Sequence, residues 1–132
     1  MNKKRAFLSF IFEDLDHIRG LRLLNANPDY DLEFNDQSVQ TAINSTDSDY
    51  IKNVIKEKIN KSSATVCLIS ENTFKSKWVD WELEKASSLN KPIIAMAIKG
   101  VDRAILPTLI KEKNISFLSW DPLHLAALIK AS

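Results

Sequence analysis

The chain of 132 residues sets 18 lysines and arginines against 17 aspartates and glutamates, for a formal net charge of +1, with 45% hydrophobic and 27% charged residues. These proportions are ordinary for a globular protein. The cations are interspersed with the acids and form no basic stripe, which argues against a nucleic-acid partner. No run of about 18 apolar residues is present, so no membrane span is expected.

A chain of this length is expected to form one domain, residues 1–132, whose core needs neither metal nor disulfide. The start, Met1-Asn2-Lys3-Lys4-Arg5, is basic, but Glu13, Asp14 and Asp16 follow too soon for a secretory signal. A cytoplasmic location is therefore expected. Cys67 stands alone within the apolar run Ala64 to Ile69, which marks it as core packing rather than a nucleophile.

Short apolar runs alternate with longer amphipathic stretches, the pattern of a parallel sheet covered by helices. Ala6 to Ile11 reads as the first strand and Asp14 to Leu24 as a helix with Ile18, Leu21, Leu23 and Leu24 on its apolar side. Tyr30 to Phe34 is a weaker strand. The polar stretch Asn35 to Asp49 is too long for a tight turn and reads as a functional loop. Ser48 to Asn60 is the cleanest helix, with Ile51, Val54, Ile55, Lys58 and Ile59 on one face and Asp47 or Ser48 as its N-cap.

Ala64 to Ile69 and Ile93 to Ile98 are apolar almost throughout, as strands buried on both faces should be. A helix over Lys77 to Leu89 separates them. Ile115 to Leu118 reads as a shorter fifth strand, and Pro122 to Lys130 as a closing helix with proline in its first turn. The expected fold is three-layer α/β, a flavodoxin-like five-stranded parallel sheet with helices on both faces. In that order the carboxyl ends of the first, third and fourth strands surround one crevice, where such sheets bind ligands.

Glu82 is the exception within its helix. At 100° per residue, Trp78, Val79, Leu83, Ala86 and Leu89 fill one arc, and Glu82 falls inside it. A carboxylate among apolar neighbours loses hydration, which a partner, a raised pKa or a ligand must offset. Two readings fit: a site residue, or a rim glutamate whose methylenes pack while its head reaches water. Trp78 has two as well, lining a pocket or anchoring the helix to the sheet, and Trp81 projects to the flank.

Three segments should meet at the crevice: Ser9-Phe10-Ile11-Phe12-Glu13-Asp14, Asn35-Asp36-Gln37-Ser38, and Ser70 to Glu82. Their carboxylates, hydroxyls, amides and aromatic surface suit a ribose or nucleotide. Only Gly20 and Gly100 are present, so there is no phosphate-binding glycine loop. His17 and His124 lie far apart with no Cys/His spacing, so no metal site is expected. A serine hydrolase lacks its nucleophile elbow. Glu13, Asp14 and Asp36 form an acidic cluster of the kind a phosphoacceptor domain uses, but Ser70-Glu71 stands where that domain needs an aspartate. A single held carboxylate suits an N-glycosidic bond whose leaving base is already cationic, as in nicotinamide dinucleotide. It orients the ribose and stabilises positive charge at the anomeric carbon.

Arg5-Ala6-Phe7-Leu8-Ser9-Phe10 with Glu13-Asp14, Val66-Cys67-Leu68-Ile69-Ser70, Thr73-Phe74-Lys75-Ser76-Lys77-Trp78-Val79-Asp80-Trp81-Glu82-Leu83 and Lys91-Pro92-Ile93-Ile94-Ala95 together resemble the TIR and TIR-like superfamily. The similarity is strongest to short bacterial TIR-like domains of the Thoeris anti-phage defence type. It spans roughly residues 4 to 100 and is most specific in Ser76-x-Trp78-Val79-x-x-Glu82.

The resemblance implies a flavodoxin-like fold and, in enzymatic members, cleavage of NAD as substrate with release of nicotinamide and no further cofactor. It matches Glu82 to the catalytic glutamate and Phe10 with its neighbours to the wall of the nucleotide pocket. The bordering loop matches Asn35 to Asp47. Ser9, Phe10, Ile11, Asp36, Ser38 and Trp78 are the expected substrate-binding residues. It also implies an ADP-ribose product, cyclised or conjugated, that reaches a separate effector as a diffusible signal, since the chain leaves no room for an effector domain. Association into a homo-oligomer is a further implication. The alternative within the same superfamily is a non-catalytic adaptor or protein-interaction module.

Overall fold

The computed structural model describes residues 4–18, 30–34 and 48–132. Strands β1 (Lys4–Ser9), β2 (Tyr30–Phe34), β3 (Ala64–Ile69) and β4 (Ile93–Ala97) form the body of a sheet. A two-residue segment, β5 (Phe117–Leu118), extends it at one edge. The order is β2-β1-β3-β4-β5 and every pairing is parallel. The chain runs outward from β1 to β2, then returns to place β3 on the other side of β1. That reversal creates the switch point between β1 and β3, the position at which such sheets bind ligands.

Side-chain alternation along these strands sorts the core onto two faces. On one face Ala6, Leu8, Val66, Leu68 and Met96 pack against Ile18 of α1 (Leu15–Ile18) and against Leu125, Ala126 and Ile129 of α5 (Pro122–Ala131). On the other, Phe7 meets Ile51, Ile55 and Ile59 of α2 (Ser48–Lys61) and Ala86 of α3 (Lys77–Ser88). Further along that face, Cys67, Ile69 and Ala95 meet Val79 and Leu83 of α3 with Leu109 and Ile110 of α4 (Thr108–Glu112). Helix α3 therefore sits at the centre of its layer. All of β3 is buried, as its near-continuous apolar sequence requires of a strand covered on both sides.

The chain departs from the expected elements at a few ends. A short 3-10 turn, Phe12–Asp14, precedes α1, and the anticipated helix is described only to Ile18. Residues 19–24 of that expectation, and Asp47 as a cap, lie outside the described residues. The last strand begins at Phe117 rather than Ile115, because Ile115 is engaged by the preceding helix. Its N–H bonds to Ile110 O at 3.1 Å and that of Asn114 to Lys111 O at 3.2 Å, with Asn114 at φ 54°. This is a Schellman closure of α4. Helix α4 itself was not anticipated from sequence; Pro107 at its N-cap, before the Leu109-Ile110 pair, was the available signal. Among the described residues no helix is long and apolar enough to cross a membrane.

Candidate active site at the β1–β3 switch point

The helix that carries Glu82 is started by Ser76, whose extended backbone (φ −83°, ψ 116°) precedes the first turn and whose Oγ accepts from the Val79 N–H at 3.1 Å. That cap fixes where the helical phase begins, and the phase turns Glu82 toward the sheet. Val79 and Leu83 bury against the α4 side, Trp78 and Ala86 against the α2 side, and Glu82 lies between them at 2% exposure. Asp80 is half-buried and Glu84 exposed. Burial, followed by the charge of Glu84, raises the Asp80 pKa from its ordinary value.

Beneath Glu82 stands the end of β1. Ser9 Oγ donates a hydrogen bond of 2.8 Å to Glu82 Oε1, joining residues 73 positions apart in sequence. Ser9 pairs in register with Cys67 of β3, so both share the face that α3 covers. Burial chiefly, then the negative charges of Glu82 and Asp80, push the Cys67 thiol far above the ordinary range. The free thiol stays protonated and is no nucleophile.

A second buried carboxylate, Asp14, lies in the turn that follows β1 and is 5% exposed. Its Oδ2 accepts from Ser70 Oγ at 2.5 Å, and Ser70 is the first residue beyond β3. The Ser70 N–H donates to Thr73 Oγ1 at 2.8 Å, with the two hydroxyls 3.3 Å apart. The end of β1 and the turn after it are thus tied across the switch point twice, by Ser9 to Glu82 of α3 and by Asp14 to Ser70 beyond β3.

The expected site residues fall into three groups. Ser9 and Glu82 are brought together. Ile11 is half-buried beside the cluster of Cys67, Ile69, Val79 and Leu83. Phe10, which the resemblance matches to the wall of the pocket, clusters with Leu8. It is buried there in the α1 and α5 cluster, on the opposite side of the sheet from Glu82. Trp78 packs along the seam between α2 and α3 and meets Trp81 edge-on at 5.8 Å, with Lys52 Nζ 5.9 Å from its ring. Asp36, Ser38 and the rest of the Asn35 to Asp47 loop lie outside the described residues. Ser70, Thr73 and Asp14 fall in the segments expected at the crevice, but the hydrogen bonds that join them carry no signal in the sequence.

Elsewhere on the surface, Asp49, Lys52, Asn53, Lys56, Trp81 and Lys85 line a groove of about 410 Å³. Asp80, Glu84, Thr108, Leu109 and Glu112 line another of about 210 Å³. Neither includes Glu82 or Ser9.

Parallel strands in this order, helices on both faces and a glutamate buried at the switch point define a flavodoxin-like α/β domain of the TIR-like kind. Residues 7–103 match the family described as Thoeris protein ThsB, TIR-like domain, and the chain belongs to that family. No curated protein matches the sequence. Among solved structures, the CMP N-glycosidase BcmB of Clostridium botulinum is similar in fold, with a TM-score of 0.61 at 15% identity, covering 96% of this chain and 99% of that one. The TIR domain of the Toll-related receptor TRR-2 of Hydra magnipapillata aligns with a TM-score of 0.58 at 17% identity, over 96% of this chain and 91% of that one.

Proposed function

We propose that this protein cleaves the N-glycosidic bond between nicotinamide and ribose in NAD, with Glu82 as the catalytic carboxylate. The ADP-ribose product, cyclised or conjugated, then acts as a diffusible signal to a separate effector in anti-phage defence. The observation that carries this reading is the placement of Glu82: a carboxylate buried at the switch point and oriented by Ser9 Oγ at 2.8 Å. Nicotinamide leaves as a neutral base from a cationic ribosyl bond, so departure needs little acid assistance. What the reaction needs is negative charge near C1′ and a hold on the ribose hydroxyls, and a desolvated, pre-oriented carboxylate provides both. Membership of the ThsB TIR-like family supports the reading, and one of the compared structures is an N-glycosidase of CMP on the same fold.

On this reading Ser9 and Ile11 line the substrate side of the crevice, and Asp36 and Ser38 complete it from the 35–47 loop. Phe10 and Trp78 act from behind by fixing β1 and α3. The competing reading is an adaptor or interaction module in which no covalent chemistry occurs. One observation favours it: Glu82 is 2% exposed and one of its oxygens is already held by Ser9, as in a purely structural buried glutamate.

Mass spectrometry of the products after incubation with NAD, alone and with lysate from phage-infected cells, separates the two. Free nicotinamide together with an ADP-ribose-derived species supports the enzyme. Intact NAD under both conditions supports the adaptor.

A further inference from the structure

Asp14 is a buried carboxylate for which the reading above has no use. It stands on the turn after β1, and its Oδ2 takes the Ser70 hydroxyl at 2.5 Å across the switch point. From Ser70 a continuous set of hydrogen bonds leads to the start of α3. The Ser70 N–H donates to Thr73 Oγ1 at 2.8 Å, the Ser76 N–H to Thr73 O at 3.1 Å, and the Val79 N–H to Ser76 Oγ at 3.1 Å. Glu82 lies one turn beyond Val79. The same helix is tied to β1 at the other end of this path by Ser9 and Glu82. The connector from β3 to α3 is thereby closed into a loop of bonds that begins and ends on the segment of residues 9–14.

We propose that Asp14 is a positioning residue: by clamping Ser70 and Thr73 it sets the start of α3, and through it the placement of the Glu82 carboxylate. This rests on the NAD-cleaving reading for its catalytic consequence, but the clamp has its own physical readout. A hydroxyl-to-carboxylate bond in a buried setting is stronger than one between neutral groups, and its loss leaves a polar group without its partner. Asparagine keeps an oxygen that accepts from Ser70, whereas alanine keeps none. The hydrogen bond therefore predicts that the conservative variant rescues the disruptive one.

The experiment uses the full chain and pairs two measurements on Asp14→Ala, Asp14→Asn and Ser70→Ala. Hydrogen exchange of the amides of Thr73, Ser76 and Val79 reports the clamp directly. It should quicken on the order of 10-fold in Asp14→Ala and Ser70→Ala, and change little in Asp14→Asn. Steady-state nicotinamide release reports the consequence. In the two disruptive variants kcat should fall roughly 10- to 100-fold, the scale of a small displacement of a reacting group, with KM within about twofold. Asp14→Asn should keep most of kcat. Unchanged exchange in Asp14→Ala overturns the clamp whatever the turnover, and so does an Asp14→Asn variant as disturbed as Asp14→Ala. Faster exchange with full kcat overturns its link to Glu82. If the unmodified chain releases no nicotinamide either alone or with lysate from phage-infected cells, the functional reading fails instead, and exchange still decides the clamp.

Discussion

The hydrogen bond from Ser9 helps to hold Glu82. A buried carboxylate is costly unless it accepts hydrogen bonds, and Ser9 Oγ supplies one at 2.8 Å. Ser9→Ala withdraws that donor without adding volume. It should destabilise the fold by about 1–3 kcal/mol, seen as a lower urea midpoint at unchanged slope; an unchanged midpoint contradicts the account. Cys67, directly across the β1–β3 ladder from Ser9, offers a second check. Its folded pKa is raised by burial first and by Glu82 and Asp80 second. Because the folded value lies above the unfolded one, the unfolded chain loses its thiol proton at lower pH. The contribution to stability is therefore complete below the ordinary thiol range, near about 8.5, and declines as pH rises through and beyond it. A thiol reagent such as Ellman's should leave the native protein unlabelled and react fully once denaturant is added. Rapid labelling of the native chain would show that the residue is not packed as described.

At the scale of elements, helix ends carry much of the specification. Helix α3 begins at Ser76 and ends with Asn90 in the left-handed region at φ 59°. There the Lys91 N–H reaches Ala86 O at 2.9 Å and the Asn90 N–H reaches Ser87 O at 3.0 Å, the Schellman pattern repeated at Asn114 after α4. Asparagine tolerates that conformation better than most residues, which lets a chain with only two glycines close both helices. The start matters most for Glu82, because it sets that residue's rotational phase. Ser76→Ala should cost about 1 kcal/mol and Ser76→Gly only a few tenths, read by chemical denaturation. Equal losses for the two would mean that the Ser76 side chain caps nothing.

For the whole molecule, the hydropathy pattern made the layering legible before any coordinates. Strands β3 and β4 read as buried on both faces because they are nearly unbroken apolar runs, and α2 read as a helix because its apolar residues recur at helical spacing. Glu82 was legible for the same reason, as a charge inside an apolar arc. Phe10, which the resemblance matches to a pocket wall, is buried in the cluster that holds Leu8, Ile18 and Leu125. The tie between Asp14 and Ser70 was not legible. It joins residues 56 apart, and only the placement of β3 beside β1 brings them together. Helix α4 was too short for its period to stand out.

Under the proposed function, the charge of Glu82 performs the chemistry at this switch point. Glu82→Gln keeps size and hydrogen-bonding capacity and removes only that charge, so its rate of nicotinamide release from NAD, measured beside a melting curve, is the most direct test. A folded protein whose turnover is lowered roughly 100-fold or more is the expected result. Equal release by the parent chain and the folded variant, under conditions where the parent is active, would contradict it.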